Sequence, residues 1–176
     1  MLQLEPLTAP NMYTDASPAR PSRGGPMLQL EPLFRAEITL APVQEFGATP
    51  MGRRRIIPIT GGTFSGARLS GKVLPGGADW QVIRPDGVAY LDARYTIETV
   101  DGALVYVRNR GYRHGPPEVI ERLARGEAVD PALYYMRTTP WFETGEPRYA
   151  WLNRIVCVGS GARLAAAVQI DFYAVK

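Results

Sequence analysis

The alternation of polar and apolar residues in Val88 to Thr99 constrains the fold more than any other feature of the chain. Side chains along a strand point to opposite faces in turn. One face therefore carries Tyr90, Asp92, Arg94, Thr96 and Glu98, and the other Leu91, Ala93, Tyr95 and Ile97. Pro85-Asp86-Gly87 joins this strand to Asp79-Trp80-Gln81-Val82-Ile83. Proline presets φ, aspartate bonds the backbone ahead, and glycine tolerates positive φ, so the three residues make a tight turn. Two readings of the polar face stay open. It is the wet side of a two-sided sheet, or Asp92 and Arg94 line a polar pocket inside a closed barrel with Asp79 and Gln81.

Short segments of this kind recur along the chain. Phe34 to Leu40 alternates cleanly, and Ile56 to Thr60 is apolar but interrupted by Pro58, which suits an edge strand or a bulge. Gly61-Gly62 permits a bend or a close backbone approach; it is no phosphate loop, because the lysine and hydroxyl ending is missing. Arg68 to Leu74, Ala103 to Asn109, Tyr135 to Glu143, Arg148 to Val158 and Val168 to Val175 read as further strands. Ala41 to Arg55, with the run Arg53-Arg54-Arg55, reads as a solvated loop, and so does Gly111 to Gly115. Pro116-Pro117 followed by Glu118 to Arg125 has helical spacing, acids early, arginines late and Gly126 beyond the end. Asp130-Pro131 opens a second short helical turn. These elements predict an all-β chain, a barrel or a sandwich, with one short helical insertion.

The seven residues Met1 to Leu7 recur identically as Met27 to Leu33. Only the second copy runs on into a strand. Thr8 to Pro26 is rich in Pro, Ser, Ala and Gly and cannot bury enough surface to order itself. Residues 1–26 are expected to be a flexible extension and residues 27–176 the domain.

Bulk properties exclude several classes of function. A net charge of +3 without a clustered basic stripe argues against nucleic acid. No apolar run approaches a membrane span, and the N-terminus lacks the pattern of a secretory signal. The single cysteine, Cys157, lies in an apolar run and suits a buried hydrophobe in a reducing compartment, so a cytoplasmic location is expected. With one histidine and one cysteine, neither a histidine triad chosen from several nor a zinc site of the usual kind is available; no metal and no cofactor is expected.

An enzyme built from this chain has carboxylates, tyrosines and arginines to work with. The candidate catalytic residues are Asp79, Asp92 and Arg94. The candidate substrate-binding residues are Trp80, Gln81, Tyr106, Arg108, His114, Tyr135, Arg137, Trp151 and Asn153. A buried aspartate can move a proton, an arginine fork can hold an oxyanion, and tryptophans offer flat apolar surface. Each also has a plain structural explanation: Asp92 and Arg94 as a ladder pair, Trp151 as core, His114 as an exposed loop residue.

At these residues the chain resembles a known family. Gly47-Ala48-Thr49-Pro50, Gly52-Arg53-Arg54 and Ile57-Pro58-Ile59-Thr60-Gly61-Gly62-Thr63-Phe64 carry the likeness. So do Leu74 to Gln81, Leu91-Asp92-Ala93-Arg94-Tyr95, Asn109-Arg110-Gly111 and Tyr149-Ala150-Trp151-Leu152-Asn153. Together they resemble the DUF3237 (UPF0311) family from about Leu28 to Lys176. The resemblance implies one β-barrel-like domain with a central cavity, and the family has no general activity assigned. Its barrel is similar to that of cofactor-free cyclases and isomerases such as allene oxide cyclase, a likeness of fold alone. The expected function is a cofactor-independent isomerase or cyclase acting on an apolar or aromatic metabolite, with secondary metabolism as its setting. The alternative is a non-catalytic small-molecule-binding protein. A small-molecule ligand is the expected partner, and homo-oligomerisation stays open.

Overall fold

The structure, a computed structural model, describes residues 27–176. The first heptapeptide copy and the linker lie outside the described residues. Ten strands form one antiparallel sheet among the described residues: β1 (Leu30–Leu40), β2 (Gln44–Thr49), β3 (Gly52–Ser65), β4 (Gly71–Val73), β5 (Ala78–Ile83), β6 (Ala89–Thr99), β7 (Leu104–His114), β8 (Tyr135–Glu143), β9 (Cys157–Arg163) and β10 (Ala167–Val175). The sheet closes because β1 pairs with β10 on one edge and β3 on the other. With β4 and β5 counted as one interrupted stave, and β1 and β2, which succeed each other along β3, as another, eight staves make the barrel. Closure removes the exposed edges that an open sheet must protect.

The second heptapeptide copy is an integral part of this ring. Leu30 is opposite Val175, and Gln29 and Lys176 exchange backbone hydrogen bonds of 3.1 and 2.9 Å. β3 is the longest strand and changes partners halfway. Its first half lies between β2 and β5, its second between β1 and β4. Pro58 sits where β1 gives way to β2, at a junction where a missing N–H costs little. At Gly62 the backbone takes φ +138° and passes so close to β1 that a Cβ would lie 2.1 Å from the Glu37 carbonyl oxygen. Only glycine fits this bend.

Three segments differ from the sequence reading. Ala41 to Arg55 is not a loop, because β2 and the start of β3 lie within it. β7 continues through Gly111 to His114 and pairs fully with β8, so that segment is strand too. Pro147–Arg154 is a 3-10 helix rather than the start of a strand. Pro147 opens it, and the Glu146 carboxylate caps it by accepting from the Arg148 N–H at 3.3 Å. Its Tyr149 and Trp151 carry strand propensity, which the cap overrides. The predicted helix forms as α1 (Pro117–Ala124), with Val119 and Leu123 buried, and the short turn follows at Pro131–Leu133.

The inward side chains divide the barrel. One part is packed by Phe34, Phe64, Phe142 and Phe172, whose ring centres lie 4.8–6.1 Å apart. Each is nearly fully buried, worth roughly 1.5–3 kcal/mol apiece. The other part is not filled. There the inward positions turn polar, and a cavity of about 40 Å³ remains.

Candidate functional site

Parity decides which side chains reach the cavity. Along β5, Asp79 and Gln81 point in. Along β6, Leu91, Ala93 and Tyr95 do. On β7 the buried series is Val105, Val107, Asn109, Gly111 and Arg113, and on β8 it includes Met136 and Thr138. Arg163 enters from β9, and Ile38, Ile57, Ile59, Val168 and Ile170 supply apolar wall. Ala93 lies opposite both Asp79 and Asn109, so a small residue separates the two polar groups. Gly111 and Gly159 flank Thr138 in the same way, and a Cβ on Gly159 would lie 2.4 Å from Thr138 Oγ1. Small residues at these positions are what keep the space open.

A hydrogen-bonded chain runs along one wall. Arg55 Nε donates to Gln81 Oε1 at 2.7 Å, and Gln81 Nε2 donates to Asp79 Oδ2 at 2.5 Å. The Asp92 backbone N–H donates to Asp79 Oδ1 at 3.0 Å. β5 and β6 pair at Asp79–Ala93 and again at Val82–Tyr90, and the ladder skips Trp80 and Gln81 between. The Asp79 carboxylate takes up an amide there. Across the cavity, three buried polar atoms have no hydrogen-bond partner among the described residues: Asn109 Oδ1, Arg113 Nε and Thr138 Oγ1. Unpaired buried polar groups are rare in folded proteins and mark a site to be explained.

The charges are perturbed accordingly. Burial pushes the Asp79 carboxyl above its ordinary 3.8. Hydrogen bonds from Gln81 and the Asp92 amide, and the nearby Arg113 and Arg55, pull it part of the way back. Burial, reinforced by repulsion from Arg55 and Arg163, draws Arg113 down to about 10. Arg55 and Arg163 are lowered chiefly by burial as well. Tyr95 is held above the ordinary range by burial and by the Asp79 charge.

Of the candidate residues from the sequence, Asp79 and Gln81 reach this cavity. Asp92 and Arg94 do not: the expectation that they line the interior is corrected, since their strand face is the outer one. The Asp92 carboxylate accepts from Arg108 Nε and Nη2 at 3.2 and 3.1 Å and from Arg94 at 3.3 Å, with Arg110 at 3.7 Å. The physical reason is plain. Leu91, Ala93, Tyr95 and Ile97 are the face that gains by leaving water.

The other candidates follow the same rule. Trp80 lies outside, with the Arg94 guanidinium 5.8 Å from its ring centre. Tyr106 and Arg108 border an outer groove with Trp141. His114 stacks on Tyr135 at 4.8 Å, and Arg137 lies 5.5 Å over the same Tyr135 ring; Tyr135 and Arg137 line a wider outer groove with Tyr90, Tyr112 and Tyr173. Trp151 is stacked by Arg68 at 3.6 Å. Asn153 holds the Thr144 backbone through two 2.9 Å bonds, a structural clasp.

The sequence reading missed Asn109, Arg113, Thr138, Arg163 and Arg55. A signal existed for the first two. They continue the parity of Val105 and Val107, so a polar residue follows an apolar series on one face. Arg55 continues Ile57 and Ile59 in the same manner.

Among the described residues no group of three or more His, Cys, Asp or Glu could hold a metal ion, and no helix is long and apolar enough to cross a membrane.

Fold and interior together define a closed antiparallel barrel with a small, partly polar cavity. The chain belongs to the DUF3237 family, described as a protein of unknown function, whose match covers residues 28–175. A UPF0311 protein of Rhodopseudomonas palustris is 49% identical over 150 residues, 85% of this chain and 98% of the relative. A solved structure from the same species has a TM-score of 0.82 at 47% identity, covering 87% of this chain and 100% of the other. A solved β-barrel-like protein from Acinetobacter baumannii has a TM-score of 0.77 at 51% identity, covering 87% and 99%. More distantly, a Penicillium herquei protein named hydroalkoxylation enzyme phnH is 24% identical over 147 residues, 84% of this chain and 83% of its own.

Proposed function

We propose that the barrel binds a small, largely apolar or aromatic molecule with its reacting group in the cavity and moves a proton on it, as a cofactor-independent isomerase or cyclase. One observation carries this reading. The Asp79 carboxyl sits in an apolar-walled cavity, raised above its ordinary value by burial and facing polar atoms without partners. A carboxyl tuned upward is suited to general acid–base work.

The name of the distant Penicillium relative points to a reaction of the right kind. Hydroalkoxylation adds O–H across C=C. The acid delivers a proton to one alkene carbon, the oxygen bonds to the other, and the hydroxyl proton returns to the conjugate base. Within one molecule this is a cyclisation, and it needs no oxidant or reductant. Asp79 would hold the proton, and Gln81, itself fixed by Arg55, would hold Asp79 in place.

A second reading, a non-catalytic binding barrel, is favoured by one feature: both Asp79 oxygens already accept protein hydrogen bonds. Incubating the protein with 2-allylphenol in D₂O separates the two. The enzyme reading expects 2-methyl-2,3-dihydrobenzofuran with deuterium on the new methyl. It also expects Asp79→Asn to slow this by about 100-fold or more. Binding without conversion supports the second reading. Conversion at the same rate in Asp79→Asn removes Asp79 from the mechanism.

A further inference from the structure

Arg113 is the least explained group in the molecule. It is 8% exposed, and its side chain makes no hydrogen bond or ion pair among the described residues. Arg55 and Arg163 approach from β3 and β9 and repel it, while Asp79 is the one carboxylate among the described residues that lines the cavity with it, and the Tyr134 hydroxyl lies near. Three arginines against one aspartate leave the cluster at +2 when all are ionised. Glu45, the strongest attractive charge on Arg55, lies on exposed β2 with Arg53 3.9 Å away. The remaining charge is therefore not neutralised within the wall. A buried cation without a counter-ion is costly, and a guanidinium presents a fork of donors matched to a planar anion.

We propose that this cavity recognises an organic anion: a carboxylate or enolate oxygen bonds to Arg113, and a hydroxyl on the same ligand donates to Asn109 Oδ1. Thr138 Oγ1, also unpartnered and buried, completes the polar end, while Ile38, Ile57, Ile59 and Ile170 receive the carbon skeleton. A water needs roughly 10–15 Å³, so a cavity of about 40 Å³ takes a head group of a few atoms. The inference rests on the reading of this cavity as a ligand site and assigns that ligand its charge. The oxyanion-holding role that the sequence suggested for an arginine passes from the outer Arg94 and Arg108 to an arginine on the inner face.

The test uses the whole chain and small probes. Glycolate, acetate, neutral acetamide and inorganic phosphate are titrated while the Arg113 Nε–H resonance is followed by NMR. The proposal expects saturable shifts with glycolate at least tenfold tighter than with acetamide. It also expects Asn109→Ala to abolish the preference for glycolate over acetate. Arg113→Met, followed by the Asn109 side-chain amide resonances because it has no Nε–H, is expected to lose the anion response and to melt at or above the wild-type temperature, because an unpaired buried cation has been removed. Acetamide binding as well as glycolate overturns the anion assignment and leaves the ligand-site reading standing. No shift with any probe overturns both. Phosphate binding without organic-acid binding, or a lower melting point for Arg113→Met, also overturns it. The wild-type titration decides the matter even if a variant fails to fold.

Discussion

The backbone N–H of Asp92 donates to the carboxylate of Asp79 at 3.0 Å, while the side chain of Asp92 faces the opposite side of the barrel wall. One residue thus belongs to two environments. Its amide helps fix the interior acid, and its carboxylate is surrounded by Arg94, Arg108 and Arg110 outside.

The raised Asp79 carboxyl has a consequence for stability. Native protein holds this proton at pH values where the unfolded chain, near 3.8, has lost it. Stability therefore falls as pH rises from about that value to the native one, by at most about 1.4 kcal/mol per pH unit. Asp79→Asn lacks this component. Urea unfolding from pH 4 to 7 is expected to show the variant gaining on wild type as pH increases. A difference that shrinks with pH would mean that Arg113 and Arg55 hold the carboxylate ionised.

The outer arginine cluster depends on one carboxylate. Asp92→Ala leaves three like charges side by side and is expected to cost about 1–2 kcal/mol, between a surface and a buried pair. Added salt screens that repulsion, so the deficit is expected to shrink at 1 M NaCl. Arg94→Ala, on the same outer face, is expected to leave conversion of 2-allylphenol and the glycolate response unchanged. A change in either would return the site to the outside of the sheet.

Cys157 is 2% exposed, and burial pushes its thiol up to about 11. Only the thiolate is nucleophilic. Alkylation by iodoacetamide at pH 8 is expected to be about two orders of magnitude slower in native protein than in urea-unfolded protein. Equal rates would show an accessible thiol and a strand β9 that opens readily.

Among the described residues, the pairings that close the barrel run from residue 29 to residue 176. We expect a chain of residues 27–176 to fold alone and to melt within ~5 °C of the full-length protein, about 1 kcal/mol for a domain of this size. A larger fall by calorimetry would place part of residues 1–26 in the folded unit.

The fold was legible because it rests on local signals. Alternation in Val88–Thr99 and Phe34–Leu40, Pro85-Asp86-Gly87 as a turn, and Pro116-Pro117 before an amphipathic run each act within a few residues. Parity was legible too, since Leu91 and Asp92 must face opposite ways. What the sequence by itself could not decide was which face became the inside where both carry usable chemistry. Asp92 and Arg94 are adjacent in sequence to Asp79's partners and looked like a site, yet closure put the apolar face inward and left them in water. The true interior set, Arg55, Asp79, Gln81, Asn109, Arg113, Thr138 and Arg163, comes from five strands spread over more than 100 residues. No local pattern joins them. Only closure through the β1–β3 pairing brings these strands around one space, where burial then shifts the charges that the sequence shows merely as Asp and Arg.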